Sequence, residues 1–242
     1  MSDVLECGSL MMEIMTRDHL TSMFLSGENL CGIILEGWDL KGIDLSAGVG
    51  EVAARLSSAK LLKSDLRGSR LKEVELIGAD LRMANLEDSN LFGAKLMRAD
   101  LSEANLRGCN LIGSVCEAAN MNRANLSGTN MRRSDLKETT MVGAILAYSR
   151  LMGANINNAD LANANLRYAN LQYASLVGSI LRNVDLSQAD LSFADLTKAD
   201  LSGASLRGAI LVGADFQDSD LGGVDFEGAD MTDAKFTSGS TE

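Results

Sequence analysis

The chain has 242 residues, 46% hydrophobic but only 4% aromatic, so its core must be built from aliphatic side chains. Lys plus Arg number 22 against 33 Asp plus Glu, and the formal charge of -11 argues against direct nucleic-acid binding while suiting a basic partner. Proline is absent where ordinary usage predicts about a dozen, as in stacked strands, where every backbone N–H donates and proline would delete a bond.

Residues 1–27 mix apolar and charged types. Val4, Cys7, Met11, Ile14 and Met15 recur at helical spacing behind Asp3, a candidate N-cap, and Ser26-Gly27 is a stop signal. Leu5, Leu10, Met15, Leu20 and Leu25 also keep a five-residue step, so an irregular repeat is the alternative. Glu13 and Asp18 are too polar and long for inward sites, so a short helical cap over the first layer is the reading. No apolar run approaches membrane-spanning length and Met1–Glu6 lacks a basic leader region, so neither secretion nor a membrane span is expected. A cytoplasmic location is expected, with Cys7, Cys31, Cys109 and Cys116 as reduced thiols.

A five-residue step begins at Leu30, Leu35, Leu40 and Leu45, with Ile33, Trp38 and Ile43 standing two places before three of these leucines. Between Leu45 and Leu56 the step is 11 residues instead of ten, which predicts a one-residue bulge within 46–55. From Leu61 to Phe236 there are 36 consecutive pentapeptides without insertion or deletion. Their central residues are Leu, Met, Ile, Phe or, at 116, Cys, and two places earlier 22 of the 36 are Ala and eight are Ser. Small size at that place is a steric demand.

Five fits neither simple element. On an α-helix five residues turn the chain by about 500°, spreading the leucines around the axis. On a flat strand an odd period sends them to alternate faces. They share one interior only if the chain turns a corner every five residues, as in a solenoid whose short sides stack coil upon coil. Glycines such as Gly68, Gly93 and Gly203 stand two places after the central residue, where a tight turn asks for positive φ.

Ala79-Asp80-Leu81, Ala104-Asn105-Leu106, Ala164-Asn165-Leu166 and Ala199-Asp200-Leu201 closely resemble the A(D/N)LXX signature of the pentapeptide repeat family, and the resemblance covers residues 28–238. It implies an all-β, right-handed, four-sided parallel β-helix with four pentapeptides to each coil and the central and small residues inside. The 36 units would then form nine coils, about 43 Å long at the ~4.8 Å spacing of paired strands. Residues 239–242 are a polar tail.

The remaining positions face outward and carry any function. With four pentapeptides to a coil, Tyr148 falls over Tyr168 and Tyr173 beside Phe193, a grouping that predicts a partner-binding aromatic patch in a chain with ten aromatic residues. Exposed rings that merely stiffen the ladder are the simpler account. Residues 183–242 carry twelve acidic against three basic residues. Asp185, Asp190, Asp195, Asp200, Asp215, Asp220, Asp225 and Asp230 are read as one acidic face. The resemblance implies that such a face can imitate DNA, as in gyrase-protecting relatives that occupy a type II topoisomerase. Turn-amide capping and solubility are the simpler account. Stacked pairs such as Asp195 with Asp215 and Asp200 with Asp220 are expected to titrate high. The column Arg67, Glu87, Arg107 predicts ion pairs between layers.

At the far end, Phe216, Phe226, Met231 and Phe236 are read as a candidate homodimer surface, since the resemblance implies dimerisation at that end in gyrase-protecting relatives. The alternative is that the polar tail alone shields the edge. The single His19 has no evident Ser or Cys partner and no phosphate-binding loop occurs. A non-enzymatic, protein-binding scaffold is expected, with the gyrase-binding DNA mimic and a purely structural or regulatory solenoid as alternatives, and no cofactor, metal or direct nucleic-acid ligand.

Overall fold

A computed structural model describes residues 16–46 and 53–237. Its backbone is a ladder of parallel bridges, Lys60 to Asp80, Asp80 to Asp100 and onward to Ile210 with Asp230. Each partner lies four pentapeptides ahead, so each coil has four sides. Among the described residues only Asp215–Phe216 (β1) and Lys235–Phe236 (β2) lengthen into two-residue strands, paired parallel in the same register.

The repeat centred on Leu81 shows how one pentapeptide closes. Leu81 N–H donates to Asp100 O in the next coil at 2.7 Å, Met83 N–H to Ser102 O at 3.0 Å, and Asp80 N–H back to Ala59 O at 2.9 Å. Ala84 N–H closes the corner on Leu81 O at 3.0 Å. The remaining amide, that of Arg82, lies within 3.3 Å of Asp80 Oδ1. Four amides thus find backbone acceptors and the fifth finds the Asp or Asn that opens the repeat, so the chain has little room for proline.

The corner is a four-residue turn with its third residue at positive φ, the pattern of a type II turn. Gly93 sits there at φ 64°, but so do Ala118 at 56° and Tyr148 at 61°. A left-handed backbone costs an ordinary L-residue about 1–2 kcal/mol relative to its preferred region, which explains why glycine recurs at corners.

Inside, the central and small residues form one continuous core from Leu20 to Phe216. Cys109 and Cys116 are buried within it, and burial pushes both thiols up to about 12. A void of about 10 Å³ between Leu35 and Leu76 is walled by leucine alone and is too small for a ligand. Ile43 is buried while Ile33 and Trp38 pack against the core, so the small-residue rule relaxes in the first coil.

The insertion near residue 46 is larger than the predicted single-residue bulge. Ile34 bridges Lys60, Asp39 bridges Asp65 and Asp44 bridges Arg70, each step six positions longer than the four pentapeptides that separate partners in later coils. Leu45 and Leu56 line adjacent sides, and Ala54 N–H reaches Leu45 O at 3.3 Å across the corner. One corner therefore carries the whole of that excess.

Before the first coil, helix α1 spans Arg17–Leu25. Its N-cap is Thr16, whose Oγ1 accepts His19 N–H at 3.2 Å. The predicted cap Asp3 lies outside the described residues. Gly27 N–H to Phe24 O and Glu28 N–H to Met23 O, both 3.0 Å, form a Schellman ending with Gly27 at φ 80°. The helix lays Leu20 into the core, with Met23 and Phe24 packed against it. Among the described residues no helix is long and apolar enough to cross a membrane.

Candidate functional site: an aromatic-edged side of the helix

With the Ala and Leu positions spent on the interior, the outward residues set the surface. Tyr148 and Tyr168 stack one coil apart with centroids 5.0 Å apart and planes 4° apart. Tyr173 and Phe193 stack at 5.2 Å and 9°. The two pairs occupy adjacent corners and edge the side that carries Gln172, Asp190 and Ser192. All four rings are open to solvent, with Tyr148 64% and Tyr173 61% exposed.

These rings stand in left-handed backbone, φ 57° to 61°, where bulky side chains are uncommon. Above and below them the same corners hold Gly128 and Gln188 in one column and Gly153 and Gly213 in the other, all at positive φ. Glycine meets that geometry without steric cost, but other residues such as Gln188 and Lys198 take it too. Ring stacking of about 0.5–1.5 kcal/mol a pair offsets only part of the conformational cost of two rings held there.

The eight carboxylates read as one acidic face do not share a face. Asp185 and Asp225 lie on one side, Asp190 and Asp230 on the next, Asp195 and Asp215 on the third, and Asp200 and Asp220 on the fourth. Stacking at every fourth repeat turns the acidic third into a collar. Each of the eight also accepts the main-chain N–H two residues on, at 2.9 to 3.1 Å, as Thr197 N–H does with Asp195 and Gly222 N–H with Asp220. Turn capping therefore accounts for the residue type.

The stacked Asp200 does not titrate high as expected. The Ser202 hydroxyl donates to it and outweighs the opposing effect of partial burial, with Arg182 assisting, so its carboxyl is held low. Asp225 is held low by Glu227 N–H and Arg207, and Asp230 by Thr232. Stability from these groups is present above the ordinary carboxylate range and declines as pH falls through the lowered values.

The capping role has a direct test. Asp160 Oδ1 accepts Ala162 N–H at 3.0 Å. Asp160→Ala is expected to lower unfolding free energy by about 1 kcal/mol, as an unmade amide bond does. Asp160→Asn, which keeps the acceptor, should stay within about 0.5 kcal/mol of the parent by denaturant titration. In two repeats that open on Thr140 and Ser175 the preceding coil supplies the cap: Asn122 Oδ1 accepts Val142 N–H at 2.8 Å and Asn157 Oδ1 accepts Val177 N–H at 2.9 Å.

Ion pairs follow the ladder only in part. Arg107 reaches Glu87 in the coil before at 3.1 Å, but Arg67 turns to Asp65 of its own repeat. Such exposed pairs are worth a few tenths of a kcal/mol. Arg167 does more: its guanidinium lies 5.7 Å from the Tyr168 ring centre and 3.3 Å from Asp185 Oδ2. Nothing in its spacing distinguished it from the other surface arginines.

At the last coil, Phe216 is buried and stacks on Phe236 at 5.3 Å, while Phe226 meets both edge-on. The rings plug the interior. Phe216 therefore cannot contribute to an end surface, and Met231 is the exposed member of the four.

A corner every five residues, an aliphatic interior and four pentapeptides per coil define a four-sided β-helix. The family model described as "Pentapeptide repeats" matches in eight copies spanning residues 52–238, and the chain belongs to that family. Among solved structures it is similar to HetL, a pentapeptide repeat protein involved in heterocyst differentiation regulation from the cyanobacterium Nostoc sp. strain PCC 7120. Identity is 30% with TM-score 0.53, covering 93% of this chain and 98% of HetL. It is also similar to QnrB1, a plasmid-mediated fluoroquinolone resistance protein, at 18% identity and TM-score 0.43 over 86% of this chain and 91% of that one. Rfr23 from the cyanobacterium Cyanothece 51142 matches at 24% identity and TM-score 0.38, over 49% of this chain and 90% of its own. The family and the HetL match carry the right-handed course of the coil. No curated protein matches.

Proposed function

We propose that the protein is a non-enzymatic scaffold that binds another protein through the side edged by Tyr148, Tyr168, Tyr173 and Phe193. One observation carries this reading: four solvent-exposed rings occupy left-handed backbone at two adjacent corners, where such bulky side chains are uncommon. Helix α1 serves as the cover over the first coil, shielding an edge that would otherwise pair with other chains. Likeness to HetL over nearly the whole chain supports a regulatory binding role.

Replacing the four rings together by Ser is expected to leave the β-sheet circular dichroism unchanged and to remove the specific partners recovered from host lysate by the parent protein. Recovery of the same partners by the variant would sink the proposal. A second reading, occupation of the DNA site of a type II topoisomerase, rests on the -9 charge of residues 183–242. The collar arrangement and the capping role of each Asp weaken it. No effect on gyrase supercoiling at micromolar protein, with or without a quinolone, would remove it.

A further inference from the structure

The coil sets the residue after one central position against the residue 18 places ahead. Arg167 meets Asp185 in this way, Arg182 meets Asp200 and Arg207 meets Asp225, while Gln172 Nε2 reaches Asp190 Oδ2 at 2.6 Å. At Arg132 the sign is reversed. The place 18 ahead of it holds Arg150, which bridges Asn130 on the same side. Arg133 stands next to Arg132 at the corner, with its Cγ 3.8 Å from where a Cβ on Gly153 would lie. All three arginines are exposed, and none makes an ion pair among the described residues.

The surroundings supply no counter-charge. On this side the outward positions from Asn90 to Gln172 are Asn, Phe, Ile, Arg, Met and Gln, and the two corners that edge it hold no carboxylate between Gly93 and Gln188. The net charge of -11 is therefore reversed here. Like charges facing one another across a ladder are destabilising, and no described residue offsets these. The turn cap is missing too: Asn130 Oδ1 is buried without a hydrogen-bond partner, and Arg132 N–H meets no acceptor among the described residues. Both nearby rings are open toward the arginines. Tyr148 and Tyr173 are stacked on their far faces by Tyr168 and Phe193, and on their near faces they look over Gly128 and Gly153, which have no side chain to cover them.

We propose that this stretch receives a short acidic segment of the partner protein, its carboxylates pairing with Arg132, Arg133 and Arg150 and its adjoining residues lying on the open faces of Tyr148 and Tyr173. The inference rests on the docking surface proposed above and adds the chemistry of its occupant. Each guanidinium offers a planar fork that matches a carboxylate. The segment is short because Asp190 lies two coils beyond Arg150 on the same side, about 10 Å at the ~4.8 Å strand spacing. A longer anion, such as a nucleic-acid strand, runs into the acidic collar there. A peptide held at the arginines is separated from the collar by more than the ~8 Å Debye length of physiological salt.

Fluorescence anisotropy at about 0.15 M salt tests this on the full chain with three labelled probes: an octapeptide of alternating Gly and Glu, its Gly-Gln counterpart and a short thymidine oligonucleotide. The Glu peptide is expected to bind about fivefold more tightly than the Gln peptide, and more tightly than the oligonucleotide. Arg132→Gln combined with Arg150→Gln should bring the two peptides to similar affinity. Neither arginine is paired within the described chain, so this variant should unfold at no lower urea concentration than the parent. Arg98→Gln combined with Arg123→Gln removes the same charge from exposed corners off this side and should keep the peptide preference within about twofold of the parent. Equal binding of the two peptides to the parent, an undiminished preference in the Arg132 and Arg150 variant, or an equal loss in the Arg98 and Arg123 variant overturns the proposal. Tighter binding of the oligonucleotide overturns it as well. If the four-ring variant nevertheless loses its lysate partners, the docking surface stands and only its occupant is wrong. If those partners persist in the four-ring variant, the surface itself is wrong and this inference falls with it.

Discussion

Proline at position 145 is expected to destabilise the protein by about 3 kcal/mol or more, while proline two residues later, at 147, should change stability by less than about 1 kcal/mol. Ile145 N–H donates to Ala124 O in the preceding coil at 3.0 Å. Its replacement removes that bond, leaves a carbonyl without its donor and pushes ring atoms against the coil below. The side chain at 145 is 44% exposed, so little of the loss reflects packing. Ala147 is the second residue of its corner, the place a type II turn favours for proline. Its amide meets no acceptor among the described residues, because Ile145 cannot cap it as Asp80 caps Arg82. Only Ala147 O is used, by Gly128 N–H at 2.9 Å, and proline keeps that oxygen. Urea titrations of Ile145→Pro and Ala147→Pro check the contrast, and comparable losses would show that the corner geometry is misassigned.

Leu166→Ala is expected to cost about 3 kcal/mol, within the roughly 2–5 kcal/mol range for truncating a fully buried leucine. Leu166 is wholly inaccessible, stacked between Leu146 and Leu186 in a rigid tube that cannot collapse around a cavity. Leu166→Met should cost less than about 1.5 kcal/mol, since Met121, Met131 and Met141 already fill equivalent buried places. Leu221→Ala, in the partly exposed last coil, should cost about 1 kcal/mol, having less apolar area to lose. Because each coil touches only its neighbours, hydrogen exchange in Leu166→Ala should rise most near that coil. A loss at 166 no greater than at 221 would contradict a continuous, unyielding core.

Much of this architecture was legible in the residues themselves. The unbroken five-residue step, with small residues two places before each leucine, admits one shared interior, and every such place from Ala54 to Ala214 is buried. The aromatic pairs were legible too, since residues four repeats apart meet once the coil length is known. The insertion was not. A step of 11 between Leu45 and Leu56 reads equally as two repeats with one extra residue or one repeat with six, and only the bridge from Asp44 to Arg70 distinguishes them.

The candidate site divides in the same way. Sequence pointed to Tyr148, Tyr168, Tyr173 and Phe193 but passed over Arg167 and Gln172, whose meaning comes from Asp185 and Asp190, 18 residues ahead, brought against them by the coil. It also merged eight aspartates into one face that the coil separates onto four sides.

What lies inside, and how often the chain turns, could be read from the residues alone, because burial and turn chemistry act within five residues and leave their mark at every repeat. The side each outward residue occupies, and the residue of another coil that it meets, came from the folded coil. Those relations depend on the number of sides per coil and on one long insertion, and neither changes the local pattern from which the repeat is read.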